Sequence, residues 1–171
     1  MSVKDALDRF GRVVVKESKT ALTKQDRNAS KKLYNSIKYT SKVSKNSFEL
    51  SFVMEEHGKF LDQGVQGKVS KIKSPNSPFR FGSGTGKKGG LTNGIEEWVK
   101  ARRFQFRDRK TGRFMSFKDT AKLITRSIYL TGTKPTNFFS KPFNAAFKKL
   151  PDEIVKSYGL TVDKLIKSAL Q

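Results

Sequence analysis

From Asn35 to Met54 the apolar residues fall mostly at every second position, Val53 excepted, and nothing else in the chain restricts its fold as tightly. Ile37, Tyr39 and Val43 alternate with Lys38, Thr40 and Lys42, and Phe48, Leu50, Phe52 and Met54 alternate with Glu49, Ser51 and Val53. A strand turns successive side chains to opposite faces, so each run has one apolar and one wet face. Ser44-Lys45-Asn46-Ser47 between them has turn chemistry. The two runs predict an antiparallel hairpin whose apolar face needs a cover from elsewhere in the chain.

The N-terminal segment is the nearest candidate cover. Val3, Ala6, Leu7, Phe10, Val13, Val14, Ala21 and Leu22 fall at helical spacing over the first 24 residues, and Ser2 with Asp5 has the form of a capping box. A polar stretch, residues 24–32, ends that pattern. After the hairpin, residues 55–64 predict a short helix stopped by Gly64. Asn93-Gly94-Ile95-Glu96 reads as a capping signature opening a helix with Ile95, Trp98 and Val99 on one side. Ser116, with Asp119 three positions on, caps a further helix whose stripe is Phe117, Ala121, Ile124 and Ile128 and whose stop is Gly132. Pro142, Phe143, Ala146, Phe147 and Leu150 follow, and residues 154–170 are helical with a break near Gly159.

The expected fold class is therefore α+β: an N-terminal helix and further helices packed on a small antiparallel sheet built around the hairpin. At 171 residues, a single domain spanning 1–171 is expected. Within it, residues 66–93 read as an extended, basic arm rich in Gly, Ser and Pro, and residues 151–171 as a C-terminal helical tail.

Composition removes several functions. Without cysteine there is no disulfide framework, thiol nucleophile or Cys-ligated zinc. His57 is the sole histidine, and no G-x-S-x-G elbow accompanies the many serines. Gly84-x-Gly86-x-x-Gly89 fits the dinucleotide string, but Ser77-Pro78-Phe79-Arg80-Phe81 precedes it where a buried parallel strand belongs. Glu55-Glu56 and Glu96-Glu97 are adjacent pairs, which splay apart on a helix and make poor ligand sets. No catalytic, cofactor or metal site is expected, and the chain is not expected to be an enzyme. Acidic residues near the start argue against a secretion signal, and no run approaches the roughly 18 apolar residues of a membrane span, so no membrane partner is expected.

What remains is charge and aromatic surface. The formal net charge is +21, yet 14 residues are Phe, which sets the chain apart from disordered polyelectrolytes. Just over half the excess, +11, lies between Gln66 and Lys118. There Lys87, Lys88, Arg102, Arg103, Arg107, Arg109, Lys110 and Arg113 are candidates to face DNA or an acidic partner, two alternatives the residues leave open. Phe79, Arg80, Phe81, Phe104, Phe106, Phe138 and Phe139 fall in loops or at element ends. Aromatic residues and Arg are favoured at interface cores, which makes these seven candidate subunit contacts.

The order of motifs resembles the tail-completion or neck proteins of tailed bacteriophages, which join head to tail. The likeness is carried by Leu33-Tyr34-Asn35-Ser36-Ile37 entering a strand and by Phe60-Leu61-Asp62-Gln63-Gly64-Val65-Gln66-Gly67 closing a short helix. The helix around Trp98, and Gly132-Thr133-Lys134-Pro135-Thr136-Asn137-Phe138-Phe139 after another helix, complete it, so that it spans about residues 30–150. Residues 68–91 and 104–115 look longer and more basic than that pattern. The resemblance implies a subunit of a homo-oligomeric ring in the virion neck or tail, made in the bacterial host cytoplasm. Its partners would be portal or other neck proteins, tail proteins and the genomic DNA in the channel. The other expectation is a sequence-nonspecific nucleic-acid-binding accessory protein.

Overall fold

A computed structural model of the chain describes residues 2–27, 31–44, 47–83, 90–150, 152 and 154. Its elements run α1 (Val3–Lys24), α2 (Lys32–Ser36), β1 (Lys38–Ser44), β2 (Ser47–Val53), α3 (His57–Gln63), β3 (Val65–Gln66), α4 (Gly90–Ala101), α5 (Phe117–Thr131), β4 (Gly132–Thr133) and α6 (Ser140–Phe147). This is an α+β fold, as the sequence predicts. Where one domain is expected, the chain divides into two compact units: Met1–Gln25, Lys32–Glu55 and Phe138–Gln171 form the first, and Asp26–Lys31 with Glu56–Asn137 the second.

In the first unit the hairpin has the expected register, with Tyr39 opposite Phe52 and Val43 opposite Phe48. α1 packs against β1, β2 and α6. Its Ser2–Asp5 capping box is formed: Asp5 N donates to Ser2 Oγ and Ser2 N donates back to the Asp5 carboxylate. The sequence offers α1 alone as cover for the hairpin, but α6 shares the task. Phe10, 6% exposed, meets Phe52 and Phe143 edge-on at 6.0 and 5.5 Å, and Phe139 packs against both Phe52 and Phe143. Leu7, Val14 and Leu150 complete this core, with Ile154 against its edge. Edge-to-face aromatic pairs add about 0.5–1.5 kcal/mol each beyond area burial, so the cluster ties α1, β2 and α6 together. The hairpin's far end keeps Val43 and Phe48 half-exposed.

In the second unit two short strands join the ends of two helices. β3 pairs antiparallel with β4, Val65 opposite Thr133 and Gln66 opposite Gly132. Gly64 stops α3 and Gly132 stops α5, both with positive φ but with ψ near 180°, so the chain passes from helix straight into strand. A Cβ at Gly132 would lie 2.3 Å from the Val65 carbonyl oxygen, so only glycine permits this approach. Asp62 is buried, and its carbonyl accepts the Asn137 amide at 3.0 Å. The Asp-x-Gly-Val-x-Gly segment is thus a structural junction.

The structure departs from the expected arm and from the expected start of α4. Residues 66–83 are no free arm. Gln66 exchanges backbone hydrogen bonds with Phe79 and Phe81 at 2.8 and 2.9 Å, and Lys68 N donates to the Tyr129 carbonyl at 2.9 Å. Ser77 Oγ donates to the Gly64 carbonyl, Ser74 Oγ to the Thr133 carbonyl, and Lys73 Nζ to Thr131 Oγ1. The serines that read as flexible linker are the groups that pin the segment down. Of the rest of the arm, residues 84–89 lie outside the described residues, as does nearly all of the 151–171 tail, and residues 90–93 belong to α4. The second departure concerns α4, which begins at Gly90, so Asn93 and Gly94 are inside it. Glu96 serves no cap; it accepts Lys100 Nζ at 2.7 Å one turn on. That hydrogen bond holds the Glu96 carboxyl below its ordinary range.

Candidate functional site

The second unit presents its basic and aromatic residues on a small hairpin, residues 104–115, that follows α4 and leads into α5. α4 ends in two nested hydrogen bonds, Arg103 N to the Lys100 carbonyl and Phe104 N to the Val99 carbonyl. This is a Schellman ending, and it places Arg103 at φ 51°, a position glycine normally fills. The chain then runs outward, bridges Arg107 to Phe114, and returns through Met115, whose amide donates to the Phe106 carbonyl at 2.8 Å. Gln105 Nε2 donates to the Met115 carbonyl, and Phe106 N donates to the buried Thr120 hydroxyl of α5. The base of the hairpin is therefore fixed to the body.

The tip is built around Asp108. Its carboxylate accepts the amides of Lys110 and Thr111, each at 2.8 Å, while Gly112 N donates to the Asp108 carbonyl. The Thr111 amide, then the Lys110 amide, then the Thr111 hydroxyl hold this carboxyl below its ordinary value of 3.8. An aspartate turn of this kind keeps Arg109, Lys110 and Arg113 exposed on a defined loop.

Two aromatic faces flank the tip. Trp98 meets Phe104 at 6.1 Å and Phe104 meets Phe106 at 5.2 Å, forming a row on one side. Adjacent residues of an extended strand point to opposite faces, so Arg107 and its cross-strand neighbour Phe114 leave on the other side. There the Arg107 guanidinium lies 4.7 Å from the centre of the Phe114 ring. Trp98, Phe104 and Phe106 on one side are 39%, 41% and 38% exposed, and Phe114 on the other is 63% exposed, so both faces of the hairpin offer apolar surface to a partner.

The predicted site residues separate accordingly. Phe104, Phe106, Arg103, Arg107, Arg109, Lys110 and Arg113 come together on or beside the hairpin. Arg102 does not: it is half-buried, and its guanidinium donates to the Asp26 carboxylate and carbonyl. Lys87 and Lys88 lie outside the described residues. Phe138 and Phe139 are core and not interface; Phe138 is fully buried and Phe139 sits in the aromatic cluster of the first unit. Phe79 and Phe81 pack on their own unit, Phe79 against Phe60 at 4.7 Å and Phe81 against Tyr129 at 5.9 Å, and Arg80 donates to the Lys68 carbonyl. Phe114 and Trp98 are the members that sequence reasoning left out. A two-residue turn at Thr111-Gly112 would have placed Phe114 opposite Arg109; the observed turn takes in residues 109–112 and sets Phe114 opposite Arg107.

Among the described residues no group of three or more His, Cys, Asp and Glu could hold a metal ion, and no helix is long and apolar enough to cross a membrane. Comparison of the chain with protein-family models, with curated proteins and with solved structures finds no match.

Proposed function

We propose that this chain is a structural subunit of a bacteriophage neck or tail-completion ring, joining portal and head to tail around the DNA channel, and that residues 104–115 are its docking element. The observation that carries the reading is the hairpin itself. Four large aromatic side chains stand 38–63% exposed beside Arg103, Arg107, Arg109, Lys110 and Arg113, on a loop made rigid by its own hydrogen bonds. Aromatic residues and Arg are the types that dominate interface energetics, and a pre-ordered loop loses little entropy on docking. In a ring with closed rotational symmetry one such loop and one receiving surface suffice, since each copy supplies both. The ordered series of motifs from Leu33 to Phe139 points to the neck family in particular. On this reading the chain works by geometry, in the virion, with acidic neighbours or channel DNA balancing its +21 charge.

A second reading, a sequence-nonspecific nucleic-acid-binding accessory protein, is favoured by the Trp98–Phe104–Phe106 row, which would stack bases between the arginines. Electron microscopy and sedimentation of the purified chain at micromolar concentration separate the two. Closed rings of one size support the connector. A monomer that shifts free DNA overturns it in favour of the accessory protein.

A further inference from the structure

The first unit carries a second basic surface, distinct in chemistry from the hairpin. α1 buries Ala6, Leu7, Phe10 and Val14 on one side. A neighbouring side presents Arg12, Lys16, Lys19 and Lys24, which with Tyr34 and Tyr39 wall a groove of about 490 Å³. The walls are fixed. The Tyr39 ring lies against Gly11, and Lys19 Nζ sits 5.1 Å from the centre of the Tyr34 ring. Thr20 Oγ1 and Thr23 Oγ1 donate to carbonyls of their own helix, at Lys16 and Lys19.

Among the described residues no carboxylate lines the groove. Glu17, the sole acid of α1 beyond Arg12, lies off it, and the Asp8 carboxylate accepts the Ser41 hydroxyl. None of the four cations is ion-paired among the described residues. Gathering like charges on one face opposes folding, so an anionic ligand is the natural complement.

The kind of anion follows from the residues. The four cations are strung along the helix, spanning about 18 Å from Arg12 to Lys24 at 1.5 Å per residue, and do not converge on one point. That suits a linear polyanion better than a single phosphate. Three of the four are Lys, a hydrated point charge that binds phosphate and is depleted from protein–protein interface cores, whereas the hairpin's cations are mostly Arg. We infer that the α1 groove holds the sugar–phosphate backbone of nucleic acid, with its cations each facing a phosphate, while the hairpin takes the protein partner. The inference rests on the connector reading only for the source of that nucleic acid, the channel DNA; the affinity belongs to the groove of the chain itself.

The test is fluorescence anisotropy with a short labelled duplex and the matching single strand, over a range of KCl concentrations. Lys16→Gln/Lys19→Gln is compared with Lys148→Gln/Lys149→Gln, an equal charge loss at exposed positions elsewhere in the unit. Lys16→Arg/Lys19→Arg is the retention control, and thermal melts confirm folding. The groove pair is expected to weaken binding at least tenfold at about 0.1 M salt and to lower the log–log salt slope by about two. The distal pair is expected to stay within about twofold of wild type, and the arginine pair to keep the affinity. Wild-type affinity in the groove pair, an equal loss in the distal pair, or displacement of the duplex by polyglutamate as efficiently as by unlabelled duplex would each overturn the proposal. Failure to form rings with groove binding intact sinks the connector reading alone; rings without groove binding sink this inference alone.

Discussion

Gly11 and Tyr39 are in direct contact: the tyrosine ring lies so close to α1 that a Cβ on residue 11 would sit 2.4 Å from Tyr39 Cδ2 and 2.6 Å from Cγ. These atoms are at the root of the ring, so the ring cannot swing aside without moving β1. Gly11→Ala is expected to destabilise the protein by about 1–3 kcal/mol, as overpacking of a well-filled contact does. Urea denaturation reads it, and an unchanged midpoint would show that helix and strand separate more easily than this contact implies.

Phe138 and Phe106 were both expected at an interface, and they respond differently to substitution. Phe138→Ala removes a fully buried ring and is expected to cost about 3–5 kcal/mol. Phe106→Ala is expected to leave the thermal midpoint close to wild type while weakening association. Equal destabilisation by the two would return Phe106 to the core.

Arg103 occupies its left-handed position at a cost of about 1 kcal/mol relative to glycine. Arg103→Gly is expected to raise stability by about that amount. If the guanidinium is kept for its partner, the same substitution lowers assembly, which Arg103→Lys partly restores. A variant both more stable and fully competent to assemble would show that Arg103 has no partner.

The hairpin tip should loosen in acid. The Asp108 carboxyl titrates below its ordinary value of 3.8 because the ionised form accepts the tip amides. A group with a lowered folded value contributes stability that is fully present above the unfolded value and lost as pH falls through the folded one. The Lys110 and Thr111 amide resonances are therefore expected to hold steady at neutral pH and to shift only below about pH 4, toward those of an open turn. Asp108→Asn should flatten that titration. Resonances unchanged in strong acid would contradict the carboxylate's role.

Much of the fold is legible where the chemistry is local. Period-two alternation set the hairpin and its pairing, and Ser2–Asp5, Ser116–Asp119 and Gly132 marked the helix ends where they occur. What failed depends on partners distant in sequence. Phe138 and Phe139 look like loop aromatics until α6 is seen to share the cover of the hairpin face with α1. Residues 66–83 look like linker because Ser and Pro are frequent, but Ser74 and Lys73 find their acceptors 59 and 58 residues away. The Asn93–Glu96 signature failed because α4 already begins at Gly90, which places Asn93 inside the helix and leaves Glu96 to pair with Lys100 one turn on. At the candidate site the charge and Phe104–Phe106 were readable, whereas the diversion of Arg102 to Asp26 is a contact across 76 residues that no local pattern contains.

If the 104–115 hairpin is the surface by which this chain docks onto its neighbours, assembly must bury it. Hydroxyl-radical footprinting of the isolated subunit and of the assembled ring measures it directly, because Phe114 and Phe106 are 63% and 38% exposed in the subunit alone. Strong protection of Phe104, Phe106 and Phe114 on assembly, with the exposed Phe48 of β2 labelled equally in both states, is the expected result. Equal labelling of the three phenylalanines before and after assembly would contradict it.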